Sequence, residues 1–489
     1  MAQKKISKNI VIALLITSVL VAAGVWLFKN SQNSPNDTSS SQSEGKLAPS
    51  LTVRSSTANK ISMGEKILVD RNPNSYKQAA ATDFNSGNYA QAVSRLEKIL
   101  KQQRNDPESL IYLNNARIGD NSAYYIAVSV PIEAEINVAK EILRGVAQVQ
   151  QETNKKGGIN GKALKIIIAN DRNSPETAKE LAKAFSKNKD ILGVIGHSSS
   201  DVSLAAAEVY QQTGLVTISP TSTSIALTFA GNYIFRTVSS DCLTGNTLAE
   251  YLDKNLNLKK VALFYNSQSS YSNSLREVFS DRLKKNQGVV VAEHNFNQPN
   301  FDLANALQQA IEKDAQALVV FPNSSGVDAL ETIDKTLLIL QRNAGKLPVL
   351  GGDSLYKPRI LQLAQKNAEG MIIAVPWLSE TTETEFTQNA IALWGGKANW
   401  RTALSYDAAI AMVRAIENSP SRQGIQQFLS SPDFTANGAS GLIRFFSNGD
   451  RAADVELVKV LAGATSGFGY DFVPIEYNSP SALEGCQSE

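Results

Sequence analysis

The stretch ILGVIGHSSSDVSLAAAEVY, residues 191–210, contains an apolar run, a short polar turn and an amphipathic pattern. The run ILGVI has the continuous apolar character of a strand that is covered on both faces. After Asp201 the apolar residues recur at helical spacing, and Gly196 separates the two patterns. A strand, a turn and a helix in this order are the repeating unit of a parallel α/β sheet, so the stretch predicts an α/β fold.

The same alternation continues through most of the chain. Predicted strands cover residues 124–130, 164–170, 191–196, 215–219, 233–238, 260–266, 289–296, 317–322, 348–352 and 371–377, with helical patterns between them. About 350 residues of this pattern exceed what one hydrophobic core supports. We therefore expect two doubly wound parallel-sheet lobes with a hinge between them, and ligands of such sheets bind at the carboxyl ends of the strands.

The N-terminus predicts a membrane anchor. Three lysines among the first eight residues precede residues 10–28, which carry no charge and have about the length of a membrane-spanning helix. The basic flank predicts a cytoplasmic N-terminus for this anchor (residues 1–29) and an exported body. A cleaved signal peptide is the alternative, because small residues lie at 22–24.

Two further segments separate this anchor from the α/β region. Residues 30–72 are polar for most of their length, which predicts a flexible linker. Residues 73–119 have helical spacing and resemble one tetratricopeptide-type (TPR-like) hairpin plus a further helix that opens at Pro107. This segment either packs against the α/β region or offers a surface to a partner. Residues 476–489 are interpreted as a polar C-terminal tail.

Composition excludes several classes of function. A net charge of +2 gives no reason to expect a nucleic-acid partner. Cys242 and Cys486 form no metal-binding cluster; two free thiols are favoured, and one disulfide stays open. The glycine-rich stretch 155–162 precedes a strand, whereas a dinucleotide-binding loop follows one, so it predicts a turn. No cofactor or metal is expected.

The polar turn at residues 196–200 admits two functions, and the first is hydrolysis. Small residues lie two positions before and two after Ser198, as in the nucleophile elbow of α/β-hydrolases. Such a serine needs a base, and the chain has two histidines. His197 is adjacent to Ser198, and His294 lies inside a predicted strand. The hydrolase therefore stays as the weaker alternative.

The second function is the binding of an α-amino acid. Ser200 lies where the predicted helix begins, and helix N-termini attract anions. Thr221 and Thr223 follow the next strand and offer further hydroxyl donors for a carboxylate. Asp241 and Asp353 follow two other predicted strands, and they suit an ammonium group. Together these residues predict a site that holds both charged groups of a zwitterion.

The motifs resemble a known family when they are taken in order. The matching stretches are NKKGGINGKALKIIIANDRNSPETA, GHSSS, ISPTST, IFRTVSSD, FYNSQSSYS, LGGDSLY, LSYDAA and GLIRFFSNGD. Their sequence is similar to that of the leucine/isoleucine/valine-binding proteins, the periplasmic substrate-binding proteins of branched-chain amino-acid ABC transporters. The resemblance implies a binding protein rather than an enzyme. The layout of anchor, helical repeat and binding region resembles cyanobacterial members.

The resemblance also implies a role for individual residues. Six positions match positions of the family's ligand site: Ser200 and Thr223 for the carboxylate, Thr221 through its backbone, Asp241 as the first-lobe carboxylate for the ammonium, Asp353 as a second acidic residue in the other lobe, and Tyr271 as an aromatic cover. Val138 stands where the family often has an aromatic residue, so the side-chain specificity does not follow.

The resemblance further implies how the lobes divide and what the partner is. The binding domain is expected over residues 124–475, with lobe 1 at about 124–240 plus part of 375–463 and lobe 2 at about 241–374. The implied function is capture of an α-amino acid outside the cytoplasm for an ABC-type permease. A sensory receptor with the same ligand contacts and a signalling partner is the alternative.

Overall fold

The computed structural model describes residues 45–46, 52–53, 55–70, 72–323, 325–326, 328–379, 384–477 and 486. The chain divides into two compact units, residues 1–45 and residues 46–489, and the elements below belong to the second. Within the described ranges no helix has the length and apolar character required to cross a membrane. The predicted anchor at residues 10–28 lies outside the described residues.

Lobe 1 is built on a six-stranded sheet. Its strands are β1 (Ile61–Ser62), β2 (Ala123–Val130), β3 (Ala163–Asn170), β4 (Ile191–Ile195), β5 (Val216–Ser219) and β6 (Ile234–Arg236). Their spatial order is β1-β3-β2-β4-β5-β6, and all pairs are parallel except β1 with β3. The helices that precede or connect these strands are α1 (Ser75–Asn85), α2 (Tyr89–Gln102), α3 (Pro107–Ile118), α4 (Ile136–Lys155), α5 (Pro175–Lys187) and α6 (Ser200–Thr213).

Lobe 2 is built on a seven-stranded sheet. Its strands are β7 (Lys260–Tyr265), β8 (Val289–Asn295), β9 (Ala317–Phe321), β10 (Val349–Gly351), β11 (Ile372–Val375), β12 (Glu456–Ala462) and β13 (Tyr470–Ile475), in the order β8-β7-β9-β10-β11-β12-β13. The first five are parallel, and β12 and β13 add an antiparallel edge. Its helices are α7 (Asp241–Lys254), α8 (Ser270–Lys285), α9 (Leu303–Glu312), α10 (Ala329–Asn343) and α11 (Pro358–Ala364).

The chain crosses between the lobes three times: after β6, after β11 and before β12. After the second crossing, α12 (Glu385–Trp394), α13 (Trp400–Asn418) and α14 (Arg422–Leu429) return to lobe 1, where α13 packs along α4. A short hairpin follows, with strands Ala436–Gly438 and Gly441–Ile443. The two-lobed parallel α/β fold predicted from the sequence is confirmed.

Alternation of side chains covers both faces of the lobe 2 sheet. Phe264 and Val320 belong to one buried cluster, whereas their neighbours Leu263 and Val319 belong to another. Successive side chains of a strand point to opposite faces, so a strand that is apolar at every position needs a helix layer on each side. This is the physical reason why the apolar runs predicted a doubly wound sheet.

The helical segment is joined to lobe 1. Its last helix, α3, is buried along almost its whole length and packs against α4 and β3. Asn115 of α3 donates from Nδ2 to the Ile166 carbonyl (2.8 Å), and its Oδ1 accepts from the Ile166 N–H (3.1 Å). These bonds satisfy backbone groups at the exposed side of β3, so α3 covers a sheet edge that would otherwise pair with another chain.

The structure differs from the expected linker between residues 57 and 70. Ile61 and Met63 are buried in the lobe 1 core, and β1 pairs with β3. The buried Glu108 carboxylate of α3 accepts from the Leu68 and Val69 N–H groups at 2.6 and 2.9 Å. The polar composition predicted an unpacked chain here. However, the few apolar side chains are buried and backbone N–H groups are hydrogen-bonded, which is enough to hold a short segment in place.

The expectation of two free thiols is wrong. Cys242, near the start of α7, forms a disulfide with Cys486 in the C-terminal tail. The two cysteines are separated by 244 positions, so their spacing carried no framework pattern. Only the fold of lobe 2 brings them together.

Candidate functional site

The candidate site lies between the lobes, at the carboxyl ends of both sheets. Its first wall is the turn after β4, which depends on Gly196. The φ angle of Gly196 is +133°, and a Cβ built there would lie 2.4 Å from the Ser129 carbonyl oxygen. Only glycine accepts both conditions, so the chain turns tightly against β2 and α6 begins at Ser200.

His197 stabilises this turn and does not serve Ser198. Its Nδ1 lies 2.7 Å from Asp171 Oδ2, and its Nε2 lies 3.0 Å from the Tyr210 hydroxyl. Both ring nitrogens of this buried imidazole are therefore engaged. His294 lies on β8, the edge strand of lobe 2, against the ring of Phe264. Neither histidine is placed to act as a general base for Ser198, so the structure does not support the hydrolase alternative.

The predicted hydroxyls lie together on the lobe 1 wall. Thr221 Oγ1 donates to the Ser198 carbonyl at 2.7 Å, and the Ser224 N–H donates to Ser200 Oγ at 3.2 Å. These bonds join the turn after β4 to the turn after β5. Thr223 Oγ1 is buried and has no hydrogen-bond partner among the described residues. The hydroxyl groups of Thr223 and Ser200 on this wall can therefore each donate a hydrogen bond to a ligand.

Asp241 lies on the second wall, at the first residue of α7. Its side chain is fully buried, and neither carboxylate oxygen has a hydrogen-bond partner among the described residues. Burial raises the pKa of Asp241 to about 7, and the charge of Asp353 adds to the rise; the Ser274 and Thr223 hydroxyls lie near the carboxylate without forming a hydrogen bond to it, and they oppose the rise. A buried carboxylate without hydrogen-bond partners is strongly stabilised in its charged form when a cation binds beside it.

Tyr271 and Asp353 complete the same cluster from lobe 2. The Tyr271 hydroxyl donates to Asp353 Oδ1 at 2.9 Å and accepts from the Ser354 N–H at 3.3 Å. Burial raises the pKa of Asp353, while the Arg401 charge and the Tyr271 bond oppose the rise. The structure therefore brings all six predicted residues to the interlobe region. Their roles in ligand binding stay a prediction.

The lobes are in contact across this region. The Ser270 N–H donates to Asp201 Oδ1 at 3.0 Å, and the Ile225 N–H donates to Ser274 Oγ at 3.0 Å. A third bond joins the Gly326 N–H to Glu135 Oε1 at 3.3 Å. Each bond has one partner on either lobe, so this conformation is closed.

The closed lobes leave a very small chamber of about 10 Å³. Its lining comes from both lobes: Glu135, Val138, Ser198, Thr221, Ser325, Asp353, Trp400 and Arg401. This volume is close to the minimum for one water molecule, whereas sites for small molecules measure about 300–1,000 Å³. Entry of a larger ligand therefore requires that the lobes separate.

Sequence reasoning missed several charged residues of the cleft. Arg401 and Trp400 open α13, which Asn399 caps by accepting from the Arg401 N–H at 2.8 Å. Glu135 and Lys357 line the cleft mouth. Burial lowers the pKa of Lys357 to about 8, and the Arg401 charge contributes. In the sequence, Asn399 before Trp400 indicates a helix start, but it does not indicate that this helix end lies at the cleft.

A metal centre finds no support in the part of the chain that the structure describes, where no group of three or more His, Cys, Asp or Glu side chains is placed to hold an ion. The fold is a two-lobed α/β structure with a polar cleft between the lobes. A family model described as "Periplasmic binding protein" matches residues 126–464. The chain belongs to this family.

Individual relatives agree with this assignment. The chain is 28% identical over 172 residues to an amino acid binding protein of Pseudomonas aeruginosa, which covers 34% of this chain and 46% of the relative. It is 28% identical over 239 residues to the leucine-specific-binding protein of Salmonella typhimurium, with 47% of this chain and 61% of the relative covered. The chain thus spans about half the length of the curated relatives that it matches.

Solved structures share the fold. A leucine-binding protein from Thermotoga maritima superposes with a TM-score of 0.62 at 22% identity, which covers 72% of this chain and 97% of that one. The family consists of extracytoplasmic proteins that bind solutes and are not enzymes. The expected non-enzymatic binding class is confirmed at this level.

Proposed function

We propose that this protein captures an α-amino acid between its lobes, outside the cytoplasm, and passes it to an ABC-type permease. The observation that carries the proposal is the buried Asp241 carboxylate, whose oxygens have no hydrogen-bond partner among the described residues. A ligand ammonium would supply the missing charge. The Thr223 hydroxyl, which also has no hydrogen-bond partner among the described residues, would donate to an oxygen of the ligand.

The two walls suit opposite ends of a zwitterion. Ser200, Thr221 and Thr223 belong to lobe 1 turns, and the N-terminus of α6 adds partial positive charge there. Asp353 and Tyr271 belong to lobe 2, and the charges of Asp241 and Asp353 both act on the Tyr271 hydroxyl. We expect the carboxylate to bind the lobe 1 hydroxyls and the ammonium to bind between the two aspartates. Each charge-assisted bond adds about 1.5–3 kcal/mol.

Closure follows from this division of contacts. The ligand meets lobe 1 in the open form, and Tyr271 and Asp353 reach it only when the lobes approach. A ligand that binds the closed state better shifts the equilibrium toward closure. The closed pair of lobes then presents a surface that a permease distinguishes from the open form.

The expected location is the outer side of the plasma membrane, through an anchor at residues 10–28. The Cys242–Cys486 disulfide supports an oxidising compartment. A membrane anchor keeps the binding region near a membrane partner, whereas a diffusing carrier needs none. The anchor itself is tested by finding whether the mature protein retains its N-terminus in membranes.

A sensory receptor is the second candidate, and the position of the TPR-like segment favours it. Because α3 is buried against lobe 1, a partner bound to α1 and α2 would be held at a fixed place on that lobe. Such a partner would detect the movement of lobe 2. Loss of amino-acid uptake on deletion of the gene supports transport, whereas unchanged uptake supports sensing.

The binding proposal is tested with the purified full-length protein in detergent. Calorimetry against the twenty amino acids should identify at least one ligand. Asp241→Asn should weaken its binding on the order of 100-fold or more, because one buried charge loses its partner. Asp281→Asn, on the exposed side of α8, is the matched control and should bind like the wild type. Equal affinity in Asp241→Asn and the wild type would refute the assignment.

A further inference from the structure

Arg401 is a buried cation in the ligand chamber. The residue is 8% exposed and lines the chamber together with Asp353 and Thr221. Its guanidinium makes no hydrogen bond with any described residue, and no carboxylate oxygen of a described residue lies within ion-pair distance. A buried guanidinium carries five N–H donors, so a large share of the bonding capacity in this chamber is unused.

The acidic groups around Arg401 influence it without binding it. Asp353, Glu135 and Glu141 raise the pKa of Arg401, and burial, which is the larger effect, lowers it. Glu135 is bonded to the Gly326 N–H, Glu141 accepts from the Thr402 hydroxyl, and Asp353 accepts from Tyr271. Each carboxylate thus has its own partner, and Lys357 adds a second cation nearby.

Trp400 holds the guanidinium and adds another donor. The Arg401 guanidinium carbon lies 4.1 Å from the centre of the Trp400 ring, which fixes its plane. The Trp400 indole Nε1 is buried and has no hydrogen-bond partner among the described residues. The Trp400 indole is thus a buried donor without an acceptor, which costs free energy, and the Arg401 guanidinium beside it borders open cavity space.

Space for such acceptors lies on the far side of the same two residues. A second cavity of about 430 Å³ is bordered by Trp400 and Arg401, with Tyr356, Phe468 and Phe472 on its other sides. The ligand chamber and this cavity therefore share Trp400 and Arg401 as a common wall. A ligand side chain that reaches this wall would lie beside the Arg401 guanidinium and the Trp400 ring.

We infer that the ligand carries a second carboxylate, which binds the Arg401 guanidinium and the Trp400 indole N–H. The ligand class is then the α-amino dicarboxylic acids rather than the branched-chain amino acids. A planar guanidinium pairs with a carboxylate through two parallel bonds, which a neutral side chain cannot reproduce. This inference rests on the proposed function, because the α-carboxylate and ammonium bind as proposed there.

Calorimetry of the full-length protein with glutamate, aspartate, glutamine and leucine tests the inference. The wild type should bind one of the two dicarboxylic acids at least 100-fold more tightly than glutamine or leucine. Arg401→Gln should lose on the order of 100-fold for that acid, as is usual when one partner of a buried charge pair is removed. Its affinity for glutamine should stay within about threefold, since neutral side chains do not use the guanidinium. Arg444→Gln, on an exposed arginine, is the matched control.

The outcomes separate the two proposals. Preference of the wild type for glutamine or leucine overturns the dicarboxylic class and leaves amino-acid capture standing, whether or not the variants fold. Equal losses for acidic and neutral ligands in Arg401→Gln also overturn it, because Arg401 would then bind the α-carboxylate that all of them share. Absence of binding to any amino acid refutes both proposals. Trp400→Phe keeps an aromatic ring but removes the indole N–H donor, and it should selectively weaken binding of the dicarboxylic acid.

Discussion

Replacement of Asp241 by asparagine should make the closed conformation described above more stable at high pH when no ligand is bound. The unfolded pKa of an aspartate is near 3.8, and burial raises the pKa of Asp241 to about 7 in the folded protein. Between these values the folded state holds a proton that the unfolded state has lost. Stability therefore falls as the pH rises from about 4 to 7, which is opposite to the usual behaviour of a paired carboxylate.

The size of the effect follows from the two pKa values. A difference of about 3 units at 1.36 kcal/mol per unit gives a cost of about 4 kcal/mol above pH 7. About 3 kcal/mol of this cost arises between pH 5 and pH 8, since two units of the shift lie in that window. Asparagine has no charge to bury, so the variant should gain that amount relative to the wild type over the same window.

Thermal unfolding without ligand at pH 5 and pH 8 measures this difference. For folding units of 150–250 residues, 3 kcal/mol corresponds to roughly 6–12 °C in Tm. The wild type should therefore lose that much more than Asp241→Asn between the two pH values. Asp281→Asn serves as the control and should follow the wild type. The same pH dependence in Asp241→Asn and the wild type would show that Asp241 is not the buried group described above.

Three other substitutions test separate parts of the site. Tyr271→Phe removes the hydroxyl that donates to Asp353, and we expect about tenfold weaker ligand binding by calorimetry, mainly from faster release in stopped-flow measurements. Gly196→Ala places a Cβ 2.4 Å from the Ser129 carbonyl at a positive φ, so soluble expression or Tm should fall sharply; a Tm equal to the wild type would contradict the strained turn. Cys242→Ser opens a 244-residue loop and should destabilise lobe 2 by about 2–4 kcal/mol in denaturant titrations, and an unchanged midpoint would count against this contribution.

Much of the fold follows from local pattern. Strands β2 to β11 lie within two residues of the predicted runs, because a strand that is apolar at successive positions is stable only between two helix layers. The polar turns at strand ends identified the cleft, since parallel strands carry their carboxyl ends to one edge of the sheet. For the same reason the sequence predicts that Ser200 and Asp353, which are far apart in the chain, lie at one cleft.

The residues that sequence reasoning missed or misread have no local signal. The ring nitrogens of His197 are engaged by Asp171 and Tyr210, and only the packed turn shows this. Residues 57–70 look like linker until Glu108 of α3 accepts two of their N–H groups. In each case the partner lies on another element, so composition and periodicity carry no trace of the contact.

The sequence by itself determined the α/β class, the strand positions and the polar turns that meet at the cleft, because these depend on short-range periodicity and on glycine and hydroxyl residues at strand ends. Tertiary structure alone decided the pairing of Cys242 with Cys486, the burial of Asp241 and the placement of Arg401 beside Asp353. Charge and solvation at a site depend on which distant chain segments exclude water from it, and no local pattern encodes that.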